Sequence, residues 1–146
     1  MLSSIEPDHI LLRQTFSAKE EVIRAIGQVM VASGEVTVRY VDGMLLREEK
    51  FSTWITESVA LPHGANEVKN EVLRPAVVVV QIPGGVDWGG GKTVHLAIGL
   101  AGRDGDQHVK MLAGIARVLQ DRNRVDRLRD AADKDEVVRI FQEGFS

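Results

Sequence analysis

The sequence predicts an α/β protein in which helices precede and follow a central β-sheet. Apolar residues recur at helical spacing in residues 17–33 and again after residue 106, whereas β-branched residues dominate the run at residues 76–82. This order of helices, strands and helices favours a layered domain, and the sequence alone leaves the order of the strands open. We expect a single domain over residues 1–146, because a chain of this length can bury one continuous core.

Two amphipathic helices are predicted before the sheet. The first begins with Ser17 and Glu20 at capping-box spacing and is stopped by Gly34. The second begins near Thr37, its candidate N-cap, and helical spacing places four apolar residues on its core face. These are Val38, Val41, Met44 and Leu45. The charged run at residues 47–50 ends this helix, and such a run is usually solvated.

Three strands are predicted in the middle of the chain, at residues 59–61, 76–82 and 93–100. We expect Pro83 and the glycines after it to end the second strand, and the glycine-rich segment 84–91 to form a hairpin or a loose excursion. This segment does not have the spacing of a nucleotide phosphate-binding loop. Lys92 and Thr93 also lead into a strand, where such a loop would lead into a helix.

Three helices are predicted after the sheet. Asp104 or Asp106 is expected to cap the first, which runs to about Leu119 and carries His108 in its first turn. Two shorter helices follow, over residues 123–128 and 133–141.

Composition excludes several classes of function. The chain has no cysteine, so disulfides, thiolate metal sites and cysteine nucleophiles are ruled out, and a cytoplasmic location is expected. The net charge of -3 comes from 18 basic and 21 acidic residues spread along the chain, and aromatics make up 5%, which argues against a nucleic-acid partner. No apolar run approaches the roughly 20 residues of a membrane span, and residues 1–8 lack the features of a signal peptide.

His63 is the most informative candidate for chemistry. It follows an apolar strand and lies between Pro62, which ends strand pairing, and Gly64, which permits close approach by another molecule. Neutral imidazole is nucleophilic near pH 7 and is a good leaving group, so His63 suits reversible phosphoryl transfer, with Arg47 as the best cationic partner. The alternative is that this segment is a tight turn with a solvent-exposed histidine.

The other histidines in the body of the chain are weaker candidates. His108 lies at a predicted helix N-terminus, where an anion is favoured, so it is a candidate hydrogen-bond donor to phosphate or else a surface cap residue. His95 lies on a predicted strand and is interpreted as a packed histidine. A zinc site formed with His63 is disfavoured, because no two histidines have i,i+4 spacing and no HExxH motif is present.

Four features of the sequence form a pattern: residues 44–49, 57–64 and 99–101, together with His108. In this pattern the chain resembles the mannitol/fructose-class enzyme IIA family of bacterial sugar phosphotransferase systems. Their order and spacing match the family from about residue 10 to residue 141. Residues 53–58 and 79–86 follow the pattern of the mannitol-specific branch.

This resemblance implies a fold and a function. The fold would be a central mixed β-sheet flanked by helices. His63 would accept phosphate from the phosphocarrier protein HPr and pass it to an enzyme IIB domain, which serves the membrane IIC component during sugar uptake. Arg47 and His108 would line the site of this phosphohistidine carrier. No nucleotide, metal ion or other cofactor is implied.

Two departures from the family leave alternatives open. Ala65 stands where the family usually has threonine, and Thr56 where the mannitol branch commonly has glycine. The sugar therefore stays open between mannitol, fructose and a related polyol. A regulatory, nitrogen-type enzyme IIA that docks on other proteins is an alternative, as is an interaction domain whose phosphorylation site has decayed. The sequence does not predict the oligomeric state.

Overall fold

The computed structural model describes residues 5–103 and 105–145. The helices are α1 (Lys19–Ala32), α2 (Val38–Lys50), α3 (Asp106–Gln120), α4 (Arg122–Asp130) and α5 (Lys134–Phe145). The strands are β1 (Ile10–Leu11), β2 (Trp54–Thr56), β3 (Val59–Ala60), β4 (Ala76–Gly89) and β5 (Lys92–Ala101). Two 3₁₀ helices cover Pro7–His9 and Asn66–Glu71. The predicted order of helices, sheet and helices is confirmed, except that the short strand β1 precedes α1.

All five strands form one mixed sheet in the order β1-β4-β5-β3-β2. The β4–β5 and β2–β3 pairs are antiparallel, whereas β1 lies parallel to β4 and β3 lies parallel to β5. The mixed sheet expected from the family resemblance is confirmed. Strands β1 and β2 were not predicted, because two or three residues are too few for an alternating pattern to show.

Helices cover both faces of this sheet. Along β4, Val78 and Val80 pack against a core that includes residues of α1 and α2, whereas Val77 and Val79 pack against residues of α3, α4 and α5. A strand buried on both faces is apolar at every position, which explains the continuous β-branched run. The prediction of a central strand here is therefore confirmed.

The first helix is capped one residue later than predicted. The carboxylate of Glu21, and not that of Glu20, accepts hydrogen bonds from the Ser17 hydroxyl at 2.6 Å and from the Ser17 and Ala18 amides at 2.7 and 3.2 Å. The bond from the Ser17 hydroxyl is the main reason that the pKa of Glu21 is lowered. Gly34 adopts a φ of 71° just after the helix, so the predicted stop is confirmed.

The caps of α2 and α3 follow the prediction in part. Thr37 is the N-cap residue of α2, as expected, although its hydroxyl bonds to Glu71 at 2.5 Å and makes no cap bond. The N-cap residue of α3 is Gly105, so the prediction that Asp106 caps this helix is wrong. Asp104, the other candidate, lies outside the described residues.

The inward face of α2 also differs from the predicted one. Met44 is buried as predicted, but Val38 is 66% exposed, and Tyr40 is buried instead. Glu48 is buried too, since its carboxylate accepts hydrogen bonds from the amide and hydroxyl of Thr53 and from Lys19 Nζ. The expectation that the whole charged run is solvated is therefore wrong for Glu48.

Strand β4 is longer than the sequence indicates. It continues through Pro83, with an irregular register between Gln81 and Val86, and reaches Gly89. Gly90 and Gly91, both at positive φ, then turn the chain into β5. The predicted hairpin is confirmed, but the predicted end of the strand at Pro83 is wrong, because an irregular register lets pairing resume beyond a proline.

No helix within residues 5–103 and 105–145 is long and apolar enough to cross a bilayer.

Candidate functional site

His63 lies beside β5 and is held there by backbone pairing. It forms an isolated parallel bridge with Leu100, and the Leu100 amide donates to the Pro62 carbonyl at 2.9 Å. The segment is thus an extended continuation of β3 along β5, and His63 is half-buried. The alternative of a tight turn with a solvent-exposed histidine is wrong, because strand pairing holds the segment against the sheet.

The hydrogen bond of the His63 ring determines which nitrogen is available. Nδ1 lies 2.7 Å from the carbonyl oxygen of Leu61. A carbonyl oxygen only accepts hydrogen bonds, so Nδ1 must carry the hydrogen. In the neutral ring the lone pair is then on Nε2, which is the nucleophilic atom.

A cavity of about 280 Å³ is lined by both His63 and His108. Leu61 and Leu112 contribute apolar walls, and Asn66 and Lys69 contribute polar groups. No acidic side chain of the described residues lines this cavity. His63 and His108, which are 45 residues apart in the sequence, therefore line the same cavity. This cavity suits an anion, because its lining contains a cation and hydrogen-bonding groups and no acidic side chain among the described residues.

His108 lies in the first turn of α3, as predicted. Its Nδ1 is buried without a hydrogen-bond partner and packs against Gly102, where a Cβ would collide with the ring. A buried N–H without an acceptor is costly, so the tautomer with its hydrogen on Nε2 is favoured. His108 can therefore donate a hydrogen bond from Nε2.

Arg47 is the one predicted site residue that does not line this cavity. Its guanidinium donates to the Phe51 carbonyl at 2.6 Å and lies 5.8 Å from the centre of the Phe51 ring. The cation among the described lining residues is Lys69, on the 3₁₀ helix Asn66–Glu71. Sequence reasoning missed Lys69, because this short helix has no apolar period that would orient its side chains.

Tyr40 was also missed. Its hydroxyl accepts a hydrogen bond from the Gly64 amide and donates one to the Leu100 carbonyl, each at 2.9 Å. Burial raises the pKa of Tyr40 to about 12, so the phenol keeps its proton at neutral pH. One signal was available: Tyr40 precedes the buried Met44 by four residues, which places both side chains on one helix face.

His95 is half-buried on β5 and does not line the cavity. Within the described part of the chain, no group of three or more His, Asp or Glu side chains is arranged so that it could hold a metal ion.

Comparison with known proteins shows the family to which the chain belongs. Residues 3–144 match the family model of the phosphoenolpyruvate-dependent sugar phosphotransferase system, EIIA 2. The mannitol-specific phosphotransferase enzyme IIA component of Bacillus subtilis (strain 168) is 38% identical over 136 residues, which cover 93% of this chain and 94% of that protein.

Two solved structures from Escherichia coli are also similar. The crystal structure of IIA mannitol has a TM-score of 0.84 and 34% identity, with 94% of this chain and 98% of that chain covered. The complex of enzyme IIA and phosphorylated enzyme IIB of the mannitol system has a TM-score of 0.86 and 32% identity, with 95% and 97% covered.

The chain therefore belongs to the EIIA 2 family of the phosphoenolpyruvate-dependent sugar phosphotransferase system. It is a phosphotransferase component of a sugar transport system, and the relatives just described are of the mannitol type.

Proposed function

We propose that this protein accepts a phosphoryl group from HPr on Nε2 of His63 and passes it to an enzyme IIB domain during uptake of mannitol or a related sugar. The observation that carries the proposal is the hydrogen bond from Nδ1 to the Leu61 carbonyl, which leaves the lone pair on Nε2. The family membership supports the same chemistry.

Each transfer exchanges one bond to phosphorus for another. The lone pair of Nε2 attacks the phosphorus of the phosphorylated donor as the donor bond breaks, and the bond electrons leave with the donor. The ring gains positive charge in this step. The Nδ1–H bond to the Leu61 carbonyl stabilises that charge, because hydrogen bonds from charged donors are stronger than neutral ones. Transfer to the IIB domain reverses the step with a new acceptor.

The charge on the transferring group would be stabilised from several sides. We assign His108 the role of a hydrogen-bond donor and Lys69 that of a nearby cation, since both line the cavity with His63. Arg47 is proposed to act when a partner docks. Its hydrogen bond to the Phe51 carbonyl is exposed, and such a bond contributes about 1 kcal/mol to stability. An oxygen of the phosphoryl group can therefore replace the Phe51 carbonyl as the acceptor.

Apolar side chains near the cavity suit docking by a partner that must leave again. Leu112 lines the cavity and is 41% exposed, and Val109, one turn away on α3, is 63% exposed. The solved relative from Escherichia coli is a complex of enzyme IIA with phosphorylated enzyme IIB, which supports IIB as the acceptor here. The mannitol-specific relatives favour a transport role over that of a nitrogen-type regulator.

A phosphorylation assay tests the proposal. The protein is incubated with enzyme I, HPr and labelled phosphoenolpyruvate, and an acid-labile label on the wild type is expected. His63→Ala should carry no label, whereas His95→Ala, a matched control away from the cavity, should be labelled normally. An unlabelled wild type would contradict phosphoryl transfer and favour a decayed site. Label on His63→Ala would show that another residue is the nucleophile.

The acceptor is identified by adding a panel of IIB domains to the labelled protein. Fastest loss of label to a mannitol-type IIB domain is expected. Failure of every IIB domain to remove the label would contradict the transport role.

A further inference from the structure

Leu100 on β5 holds the chain on both sides of His63. Its amide donates to the Pro62 carbonyl at 2.9 Å. Its carbonyl accepts from the Tyr40 hydroxyl at 2.9 Å, and that hydroxyl accepts from the Gly64 amide at 2.9 Å. The residue before His63 is thus bonded to Leu100 directly, and the residue after it is bonded through one phenol.

Tyr40 and Gly64 also pack against each other. A Cβ placed on Gly64 would lie 2.6 Å from Cζ of Tyr40 and 3.0 Å from its hydroxyl oxygen. The φ of Gly64 is not in the left-handed region, so close approach of the ring, and not backbone conformation, accounts for glycine here. Tyr40 is 4% exposed, which leaves little room for the segment after His63 to shift.

We propose that Tyr40 is a positioning residue for phosphoryl transfer, which sets the direction of the His63 ring by tying the Gly64 amide to the Leu100 carbonyl. This inference rests on the proposed function of His63. Tyr40 acts through the backbone of the neighbouring residue, and no contact with the phosphoryl group is required.

The arrangement of donors and acceptors supports this role. The hydroxyl has one hydrogen, which it donates to Leu100, and it accepts the Gly64 amide hydrogen with a lone pair. Since burial raises the pKa of Tyr40 to about 12, the hydroxyl does not ionise near neutral pH, so both hydrogen bonds persist. Phenylalanine would keep the ring packing and remove both bonds together.

Tyr40→Phe is the direct test, in the assay with enzyme I, HPr and labelled phosphoenolpyruvate. Because a displacement of about 1 Å can cost 100-fold in rate, kcat for transfer from HPr should fall about 10- to 100-fold. The KM for HPr should change little, because the exposed docking surface is unaltered. Equal kcat for Tyr40→Phe and wild type would overturn the proposal.

Gln81→Met serves as the control for loss of buried hydrogen bonds away from the cavity. Gln81 is buried, and its amide donates to the carbonyls of Leu128 and Ala131, each at 2.9 Å. This variant should lower the melting temperature and leave kcat unchanged. If it slows transfer as much as Tyr40→Phe does, the effect of Tyr40 is only structural and the proposal fails.

A measurement on the wild type covers the case in which Tyr40→Phe does not fold. The Gly64 amide should exchange with solvent as slowly as the amides of β5, since the phenol protects it. Fast exchange would contradict the inference. A wild type that is never phosphorylated would contradict the proposed function. A wild type that is phosphorylated with the same kcat as Tyr40→Phe would contradict the Tyr40 inference alone.

Discussion

The imidazole of His63 donates from Nδ1 to the carbonyl oxygen of Leu61, two residues earlier, at 2.7 Å. Leu61 is itself fixed, because its amide donates to the Thr53 carbonyl at 2.9 Å. The ring orientation is thus tied to the backbone that joins β3 to the cavity. This relationship determines both which nitrogen reacts and how its charge is stabilised.

The phosphoryl group is expected on Nε2 of His63. Nδ1 is occupied by the bond to Leu61, so only Nε2 has a lone pair in the neutral ring. Coupling between phosphorus and ring nitrogen in the NMR spectrum of the ¹⁵N-labelled, phosphorylated protein identifies the atom. Coupling to Nδ1 would show that the bond to Leu61 breaks before transfer.

Lys69→Met is expected to slow transfer from HPr about 10- to 100-fold, because a preorganised cation or donor at the transition state is typically worth that much or more. Lys69 lines the cavity with His63. Lys50→Met is the matched control. Lys50 is exposed and forms an ion pair of 3.6 Å with Glu67 on the same 3₁₀ helix, so its loss should leave transfer unchanged. Equal rates for the two variants would remove Lys69 from the mechanism.

Arg47→Gln is expected to slow transfer with the fold intact. Its guanidinium donates to the exposed Phe51 carbonyl and lies near the Phe51 ring, so the free energy of unfolding should change by about 1 kcal/mol, too little to unfold the protein. Arg39→Gln, exposed on the same helix, is the control and should transfer normally. Rapid transfer by Arg47→Gln would mean that Lys69 and His108 suffice without it.

Gly64→Ala is expected to destabilise the protein by about 1–3 kcal/mol, because the new methyl group would overlap the ring of Tyr40. Gly84→Ala provides the comparison, since no atom lies within 4 Å of a Cβ at that position. Its effect should stay within about 0.5 kcal/mol. Urea unfolding measures both variants. Similar stabilities would show that Tyr40 moves aside freely.

Stability is expected to fall as pH rises above about 6.5, through His9. Burial lowers the pKa of His9, but its hydrogen bonds to Glu35 at 2.7 Å and Asp8 at 2.6 Å outweigh burial and raise the pKa overall. The folded state thus binds a proton more tightly than the unfolded chain. The stabilisation is complete below the unfolded pKa of 6.5 and is lost as pH rises through the higher folded pKa.

Urea unfolding at a series of pH values tests this dependence, with His9→Gln as the variant that should lack it. His95→Gln, which alters a histidine outside this cluster, should retain the wild-type slope. A wild-type stability that is constant between pH 6 and pH 8 would contradict the assignment to His9.

Much of the fold follows from local patterns in the sequence. Helix α1 and its stop at Gly34, the N-cap residue Thr37 and the central run of β4 were all predicted, because each depends on residues within a few positions of one another. The errors have different causes. The carboxylate of the capping box belongs to Glu21, one residue after the predicted Glu20. Strand β4 continues past Pro83, because tertiary pairing with β5 overrides the local stop signal.

The sequence by itself determined that His63 is the candidate nucleophile and that His108 lies in the first turn of a helix, since both depend on neighbouring residues and on a family pattern. Only the tertiary structure decided that the two share a cavity, because the order of the strands brings distant segments together. It also placed Lys69 in that cavity. Such contacts join residues far apart in sequence, and no local period encodes them.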